Sequence, residues 1–222
     1  MCYCEIVITI VILFGGCYRR GDEHMNAKKL FLMVMIVLCT MACAFSQQYK
    51  IGDEGPGGGI VFYYSEKGFD VYEADGSVTR CNYLEVSKTE VAWATWCSCT
   101  YETSYCYIGS AVSEIGFGKT NTYKIINGNH TGDTVSSSNC AAKACFEYST
   151  AQTAKGEWFL PSEDELNLLY KNLGTRILAT ETWHWSSSQT NVRYAWLQSF
   201  SDGVQGRGSK SSARSVRAIR AF

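Results

Sequence analysis

The segment Ser162-Glu163-Asp164-Glu165-Leu166-Asn167-Leu168-Leu169-Tyr170-Lys171-Asn172-Leu173-Gly174 is the clearest element in the chain. Ser162-x-x-Glu165 is a capping box, in which the serine oxygen accepts a free backbone N–H of the first turn and the glutamate reaches back to the cap. Pro161 fixes the entry. Leu166, Leu169, Tyr170 and Leu173 form one apolar stripe, and Gly174 supplies a left-handed stop. Two shorter helices are predicted upstream, over 118–126 and over 139–150, where Ala141, Ala142, Cys145 and Phe146 recur near helical spacing. Outside these, β-branched and aromatic runs alternate with turns. Residues 60–64, 69–73 and 80–86 read as a meander around Asp75-Gly76, and 182–187, 193–200 and 215–222 read as strands after the helices. Strands, then helices, then strands give an α+β domain with helices beside antiparallel sheets.

The first 46 of the 222 residues read differently from the rest. Apolar runs at 6–14 and 30–45 are both shorter than the roughly 20 residues that cross a bilayer as a helix. From Met25 the order is a Lys28-Lys29 n-region, an apolar h-region and the small-residue site Ala42-Cys43-Ala44-Phe45-Ser46, which describes a secretory signal at 25–46. Residues 1–24 are then an upstream extension translated by a gene-start error. Thr40-Met41-Ala42-Cys43 also offers Cys43 for lipidation, which would hold the domain at a membrane surface instead of releasing it. The mature domain is 47–222, located at the cell surface, in the periplasm or outside the cell. Membrane contact is expected only through that lipid anchor.

Export gives the cysteines a meaning. Eleven are present, and Cys81, Cys97, Cys99, Cys106, Cys140 and Cys145 fall in the mature part, an even number that reads as disulfides. Cys97 and Cys99 are too close to bridge each other, and the remaining pairings stay open. A zinc or redox site is the alternative, but no Cys-x-x-Cys occurs and His130 and His184 lack ligand spacing. No metal or other cofactor is expected.

The last forty residues carry the functional reading. A frame of Trp185, Ser186, Ser187, Ser188, Gln189, Ala195, Trp196, Gln198, 200–203, Gln205, Lys210 and 215–222 encloses positions with neither apolar period nor turn logic: Thr190, Val192, Arg193, Tyr194, Leu197, Ser199, Val204, Gly206, Arg207, Gly208, Ser209, Ser211, Ser212, Ala213 and Arg214. These residues are too mixed for one buried face and too aromatic and basic for a linker. With His184 beside them, 184–214 reads as a segment built to display side chains. Six basic residues follow Ser186 (Arg193, Arg207, Lys210, Arg214, Arg217, Arg220) against Asp202 alone, which suits anionic ligands such as sulfated glycans. Arg217 and Arg220, alternating with Val216, Ala218 and Ile219, are instead expected to pair with framework carboxylates.

Enzymatic chemistry finds little support. Glu163, Asp164 and Glu165 complement the positive end of a helix, and His184 is a lone histidine between two tryptophans. The Gly-rich run 52–59 precedes a strand, the wrong order for a phosphate-binding turn. No nucleic-acid partner is indicated.

Four motifs, Gly52-Asp-Glu-Gly-Pro-Gly-Gly-Gly-Ile-Val-Phe-Tyr63, Trp158-Phe-Leu-Pro-Ser-Glu-Asp-Glu-Leu-Asn-Leu-Leu-Tyr170, Trp185-Ser-Ser-Ser188 and Val216-Arg-Ala-Ile-Arg-Ala-Phe222, together resemble the bacterial Lcl C-terminal family, named after the C-terminal domain of a collagen-like adhesin. The resemblance covers about 49–222 and implies a C-type-lectin-like fold of the formylglycine-generating-enzyme type, with short antiparallel strands, about three helices and disulfides. Members of that fold that oxidise cysteine need a cysteine pair near the C-terminal end, and the last cysteine here is Cys145. Calcium-dependent sugar sites of C-type lectins need a proline between carbonyl-bearing side chains, whereas Pro56 and Pro161 stand in Gly-Pro-Gly and Leu-Pro-Ser. The C-terminal segment also resembles variable regions diversified by retroelements that mutate adenines. Asparagine codons altered only at adenines cannot give Lys, Glu, Gln, Met or Trp, and none of these stands at the enclosed positions. The expected function is binding of an external protein or cell-surface glycan, with a structural envelope protein, or an enzyme on the same fold, as the alternatives.

Overall fold

The computed structural model describes residues 48–97, 112–128, 140–177 and 182–222, all within one compact unit spanning 47–222. The upstream extension, the signal segment, Cys43, Cys99, Cys106 and His130 lie outside the described residues. Eight strands are described: β1 (Ile60–Tyr72), β2 (Val78–Val86), β3 (Ala92–Ala94), β4 (Trp183–Gln189), β5 (Tyr194–Ser199), β6 (Gln205–Ser209), β7 (Arg214–Val216) and β8 (Ile219–Ala221). Three helices accompany them: α1 (Gly118–Asn127), α2 (Ala141–Glu147) and α3 (Glu163–Ile177). The strands form a three-stranded sheet, β1-β2-β8, and a five-stranded sheet, β3-β7-β4-β5-β6. All neighbours are antiparallel except β4 and β7, where His184 pairs with Ser215 in parallel. The α+β class is as expected.

The capping box forms as read. Glu165 N donates to Ser162 Oγ at 3.3 Å and Ser162 N donates to Glu165 Oε2 at 2.7 Å. Leu166, Leu169 and Leu173 are buried, each contributing about 1.5–3 kcal/mol of transfer free energy. They pack with Phe62, Leu84, Val86, Phe159, Phe200 and Ile219 between α3 and the three-stranded sheet. Gly174 adopts φ 36°, ψ −132° and breaks the helical path where the stop was predicted.

Glu165 does more than cap. It is fully buried and also accepts Gly116 N at 2.8 Å, and burial pushes its pKa up to about 7 against these hydrogen bonds. Its stabilising contribution is therefore complete below the ordinary value of 4.5 and is lost as pH rises through about 7. Urea midpoints of the wild type should fall over that interval relative to those of Glu165→Gln, which keeps a capping acceptor but does not titrate. Parallel midpoint curves for the two proteins would contradict the assignment.

The second core lies between the five-stranded sheet and α1 and α2, with Trp96, Trp158, Trp185, Ile125, Cys97, Cys140 and Cys145. Indole N–H groups are satisfied inside it: Trp96 Nε1 donates to Ser186 O at 2.7 Å, Trp185 Nε1 to Ala94 O at 3.1 Å and Trp158 Nε1 to Thr153 Oγ1 at 2.8 Å. The disulfide expectation is not met among the described cysteines. Cys81, Cys97, Cys140 and Cys145 are buried and none is bonded to another. Cys140 Sγ lies 3.8 Å from Trp96 O and Cys145 Sγ lies 3.7 Å from Arg217 O, so these thiols occupy the core as small apolar groups. Burial pushes the Cys140 thiol up to about 11 and raises the Cys145 thiol well above its ordinary value.

The Gly-rich entry cradles an anion from its own chain. Gly57 N and Gly59 N each donate to the fully buried Glu85 carboxylate at 3.0 Å, and Arg220 Nη1 donates to it at 2.8 Å. A Cβ at Gly55 or Gly57 would overlap that carboxylate. Arg220 also donates to Glu157 at 2.9 Å, as expected of a framework pair. Arg217 departs from that expectation: it is buried and donates to the Ser87 carbonyl at 3.1 Å instead of to a carboxylate.

Candidate functional site

The display segment folds into β4, β5, β6 and the start of β7, so its turns fall at two ends of the sheet. The β4–β5 turn (190–193) and the β6–β7 turn (210–213) lie together, because β6 returns antiparallel to β5 with Tyr194 opposite Ser209. Lys210 N donates to Arg193 O at 3.0 Å and ties the two turns. Asn191 Oδ1 accepts the N–H groups of Arg193 (2.8 Å) and Tyr194 (3.0 Å), closing the first turn as an Asx motif. The β5–β6 turn, carrying Val204, is at the other end.

Strand alternation sorts the residues between the turns. Tyr194 and Trp196 on β5 share a face with Arg207 and Ser209 on β6 through the pairs Tyr194–Ser209 and Trp196–Arg207. The opposite face carries Ala195, Leu197, Gly206 and Gly208. Leu197 packs beside Trp185 there, and a Cβ on Gly208 would lie 2.8 Å from the Trp185 ring. Gly208→Val is expected to cost about 1–3 kcal/mol through overpacking, as read from urea unfolding. Gly206→Val should cost less, since its nearest neighbour is the Trp183 ring at 3.3 Å.

Exposure follows this division. Arg193, Tyr194, Val204 and Arg207 are exposed, and Thr190, Val192, Gly206, Ser209, Ser211, Ser212, Ala213 and Arg214 are half-buried. His184, Leu197, Ser199 and Gly208 are buried and leave the display set. His184 is an interior group: its ring lies 4.3 Å from Phe200, Nδ1 faces Thr182 O at 3.2 Å, and Nε2 lies 3.4 Å from Glu90 Oε1. Burial lowers its pKa well below the usual histidine value, and the Glu90 charge opposes that shift only in part, so the ring is neutral at pH 7. Ser199 Oγ bonds Ser201 Oγ at 2.8 Å below the β5–β6 turn.

Beneath the tip, the frame is fixed by hydroxyls. Ser186 Oγ donates to Trp196 O (2.9 Å), Ser188 Oγ to Val112 O (3.0 Å), and Ser187 N donates to Pro161 O (2.7 Å), all three serines being fully buried. Lys210, 2% exposed, places Nζ 4.2 Å over the Trp96 ring and 2.9 Å from Gln189 Oε1. Burial drops its pKa to about 8. The six basic residues thus reduce to Arg193, Arg207 and Arg214 as candidates for meeting an anionic ligand. Asn191 was missed by the sequence reading, and Gln205, read there as frame, is exposed on the outward face of β6. An asparagine three residues before the register-setting Tyr194 was the available signal for the first, and the Gln-x-Arg-x-Ser alternation for the second.

No family model matches the chain, and no curated protein does. Among solved structures that match is a fimbrial protein from Bacteroides ovatus ATCC 8483, 14% identical with a TM-score of 0.47, the match covering 79% of this chain and 46% of that one. At that distance the likeness assigns neither activity nor ligand. Among the described residues, no group of three His, Cys, Asp or Glu side chains is placed to hold a metal ion, and no helix is long and apolar enough to cross a membrane.

Proposed function

We propose that this chain is an exported, non-enzymatic binding protein with a lectin-like fold of the Lcl C-terminal type. Its C-terminal tip takes an external protein or a cell-surface glycan, and the open positions on that tip are the ones a retroelement would diversify. The observation that carries this reading is the separation of two residue sets within one segment. Trp185, Ser186, Ser187, Ser188, Ala195, Lys210 and Ser215 are buried and bonded inward, while Arg193, Tyr194 and Arg207 stand exposed between them with Arg214 at the rim. A rigid base under interchangeable side chains is what a binding face needs, because a preorganised surface loses little entropy when it binds. Tyr194 offers a flat amphipathic ring at low entropic cost, and the three arginines offer forked donors.

The test compares wild type with a variant in which Arg193, Tyr194, Arg207 and Arg214 are all changed to Ala, on a glycan array that includes sulfated glycans and in capture from bacterial and host surface extracts. The variant should bind at least about tenfold more weakly, roughly 1.4 kcal/mol, with an unchanged urea midpoint. Equal capture by both proteins removes the reading and leaves a structural envelope protein. A neighbouring template repeat carrying asparagine codons at the open positions, beside a reverse transcriptase gene, is the matching genomic observation. The buried thiols carry their own check: native protein denatured in a thiol-alkylating reagent should be labelled at Cys81, Cys140 and Cys145, and protection of any of the three would show a disulfide that the described fold does not contain.

A further inference from the structure

A cavity of about 220 Å³, with no residue of the 184–214 segment in its lining, opens between the end of β1, helix α1, the end of α2 and the segment before Phe159. Its lining includes Glu73, Lys119, Tyr123, Phe146, Gly156 and Trp158. The walls are of two kinds. Tyr123, 44% exposed, is one of the few large apolar side chains that the described fold leaves open, and it faces this cavity with Phe146 and Trp158. Gly156 keeps the Phe146 wall flat, since a Cβ there would lie 3.2 Å from the ring edge. Opposite in character is the pair Glu73–Lys119, with Lys119 Nζ at 3.0 Å from Oε1 and 2.8 Å from Oε2. Thr79 Oγ1 also donates to Glu73 Oε1 at 3.3 Å, which fixes the carboxylate.

The geometry points to a binding site for one ring of a neutral saccharide, a hexopyranose with adjacent free hydroxyls. A singly charged ligand gains little from Glu73 and Lys119, since each offsets much of the other's field at a third charge. A neutral polyol does not depend on that field. Each sugar hydroxyl both donates and accepts, so neighbouring hydroxyls can donate to the carboxylate and accept from the ammonium without breaking the pair. The apolar C–H face of a pyranose meets the remaining requirement, contact with an aromatic wall. The volume sets the size, because pockets for drug-sized ligands run from about 300 to 1,000 Å³ and this one holds a single ring, not a chain. The site rests on α1, α2 and β1, so it stands or falls independently of the C-terminal tip.

Saturation-transfer NMR and titration calorimetry with the methyl glycosides of glucose, galactose, mannose and N-acetylglucosamine test the site on the 47–222 domain. At least one glycoside should receive saturation and bind with an affinity in the millimolar range. Tyr123→Ala and Lys119→Met should each weaken that binding at least about tenfold. Tyr123 is exposed, so its variant should keep the wild-type urea midpoint, and it decides the question if Lys119→Met fails to fold. The tip variant with Arg193, Tyr194, Arg207 and Arg214 changed to Ala should bind the glycoside as wild type does. Absence of saturation transfer from every glycoside, or equal binding by Tyr123→Ala and wild type, overturns the site.

Discussion

Glu85→Ala is expected to destabilise the domain by about 3–5 kcal/mol, the range for breaking a buried pair by removing one partner. The carboxylate is fully buried and accepts three hydrogen bonds, from Gly57 N, Gly59 N and Arg220 Nη1. Its loss leaves two buried amides without an acceptor, each costing about 1–3 kcal/mol, and an arginine whose other carboxylate, Glu157, is 39% exposed. Glu85→Gln should lose less, because its carbonyl oxygen keeps one acceptor, although its NH₂ faces a donor. The control is Glu54→Ala, which removes a pair with Lys88 in which both side chains are at least half exposed and should move the midpoint by less than about 1 kcal/mol. Equilibrium urea unfolding of all three variants reads the difference. A Glu85→Ala midpoint equal to that of Glu54→Ala would show that the Gly-rich entry holds its shape without the anion.

Local signals carried much of the fold. The capping box, the leucine stripe and Gly174 each act within a few residues, and α3 begins and breaks where they put it. The β1–β2 meander was legible because Asp75-Gly76 and the flanking β-branched residues lie next to each other, though its first two predicted strands merge into one β1 whose register shifts between Val61 and Tyr63 and between Tyr64 and Phe69. What sequence could not show was pairing between distant segments. Residues 215–222 read as one strand, yet β7 pairs with β3 and β4 in one sheet and β8 with β2 in the other, with the chain crossing at Arg217 and Ala218. β6 was invisible for another reason. Gln-Gly-Arg-Gly-Ser carries no apolar residue, because its inward positions are glycines filled from the neighbouring strand by Leu197 and from beyond it by Trp185. The same blindness put Gly208 and Leu197 among the display positions: an enclosed position and an open one look alike until the register is known. Glu85 is the site's counterpart, an acid in a strand with nothing local to say that a glycine loop closes over it.

Trp185→Ala should cost about 3–5 kcal/mol, the range for a buried tryptophan truncated to alanine, whereas Tyr194→Ala, nine residues on in the same hairpin, should stay within about 0.5 kcal/mol of wild type. Trp185 has no exposed surface, donates Nε1–H to Ala94 O at 3.1 Å, and is the residue against which Leu197 and the Gly208 backbone pack. Its removal opens a void under β5 and β6 and deletes a bond between β4 and β3, which are separated in the sheet by β7. Tyr194 is 43% exposed, and the partners of its backbone, Asn191 Oδ1 for the N–H and Thr190 for the carbonyl, do not depend on its side chain. The contrast tests the division on which binding depends, because a tip can exchange its residues only if their identity carries little of the stability while the layer below carries much of it. Urea unfolding of the two variants, read by tryptophan fluorescence for Tyr194→Ala and by far-UV circular dichroism for both, gives the two numbers. Comparable losses would mean that the tip is part of the core's packing, and interchange at Arg193, Tyr194 and Arg207 would then be limited by folding before any ligand was met.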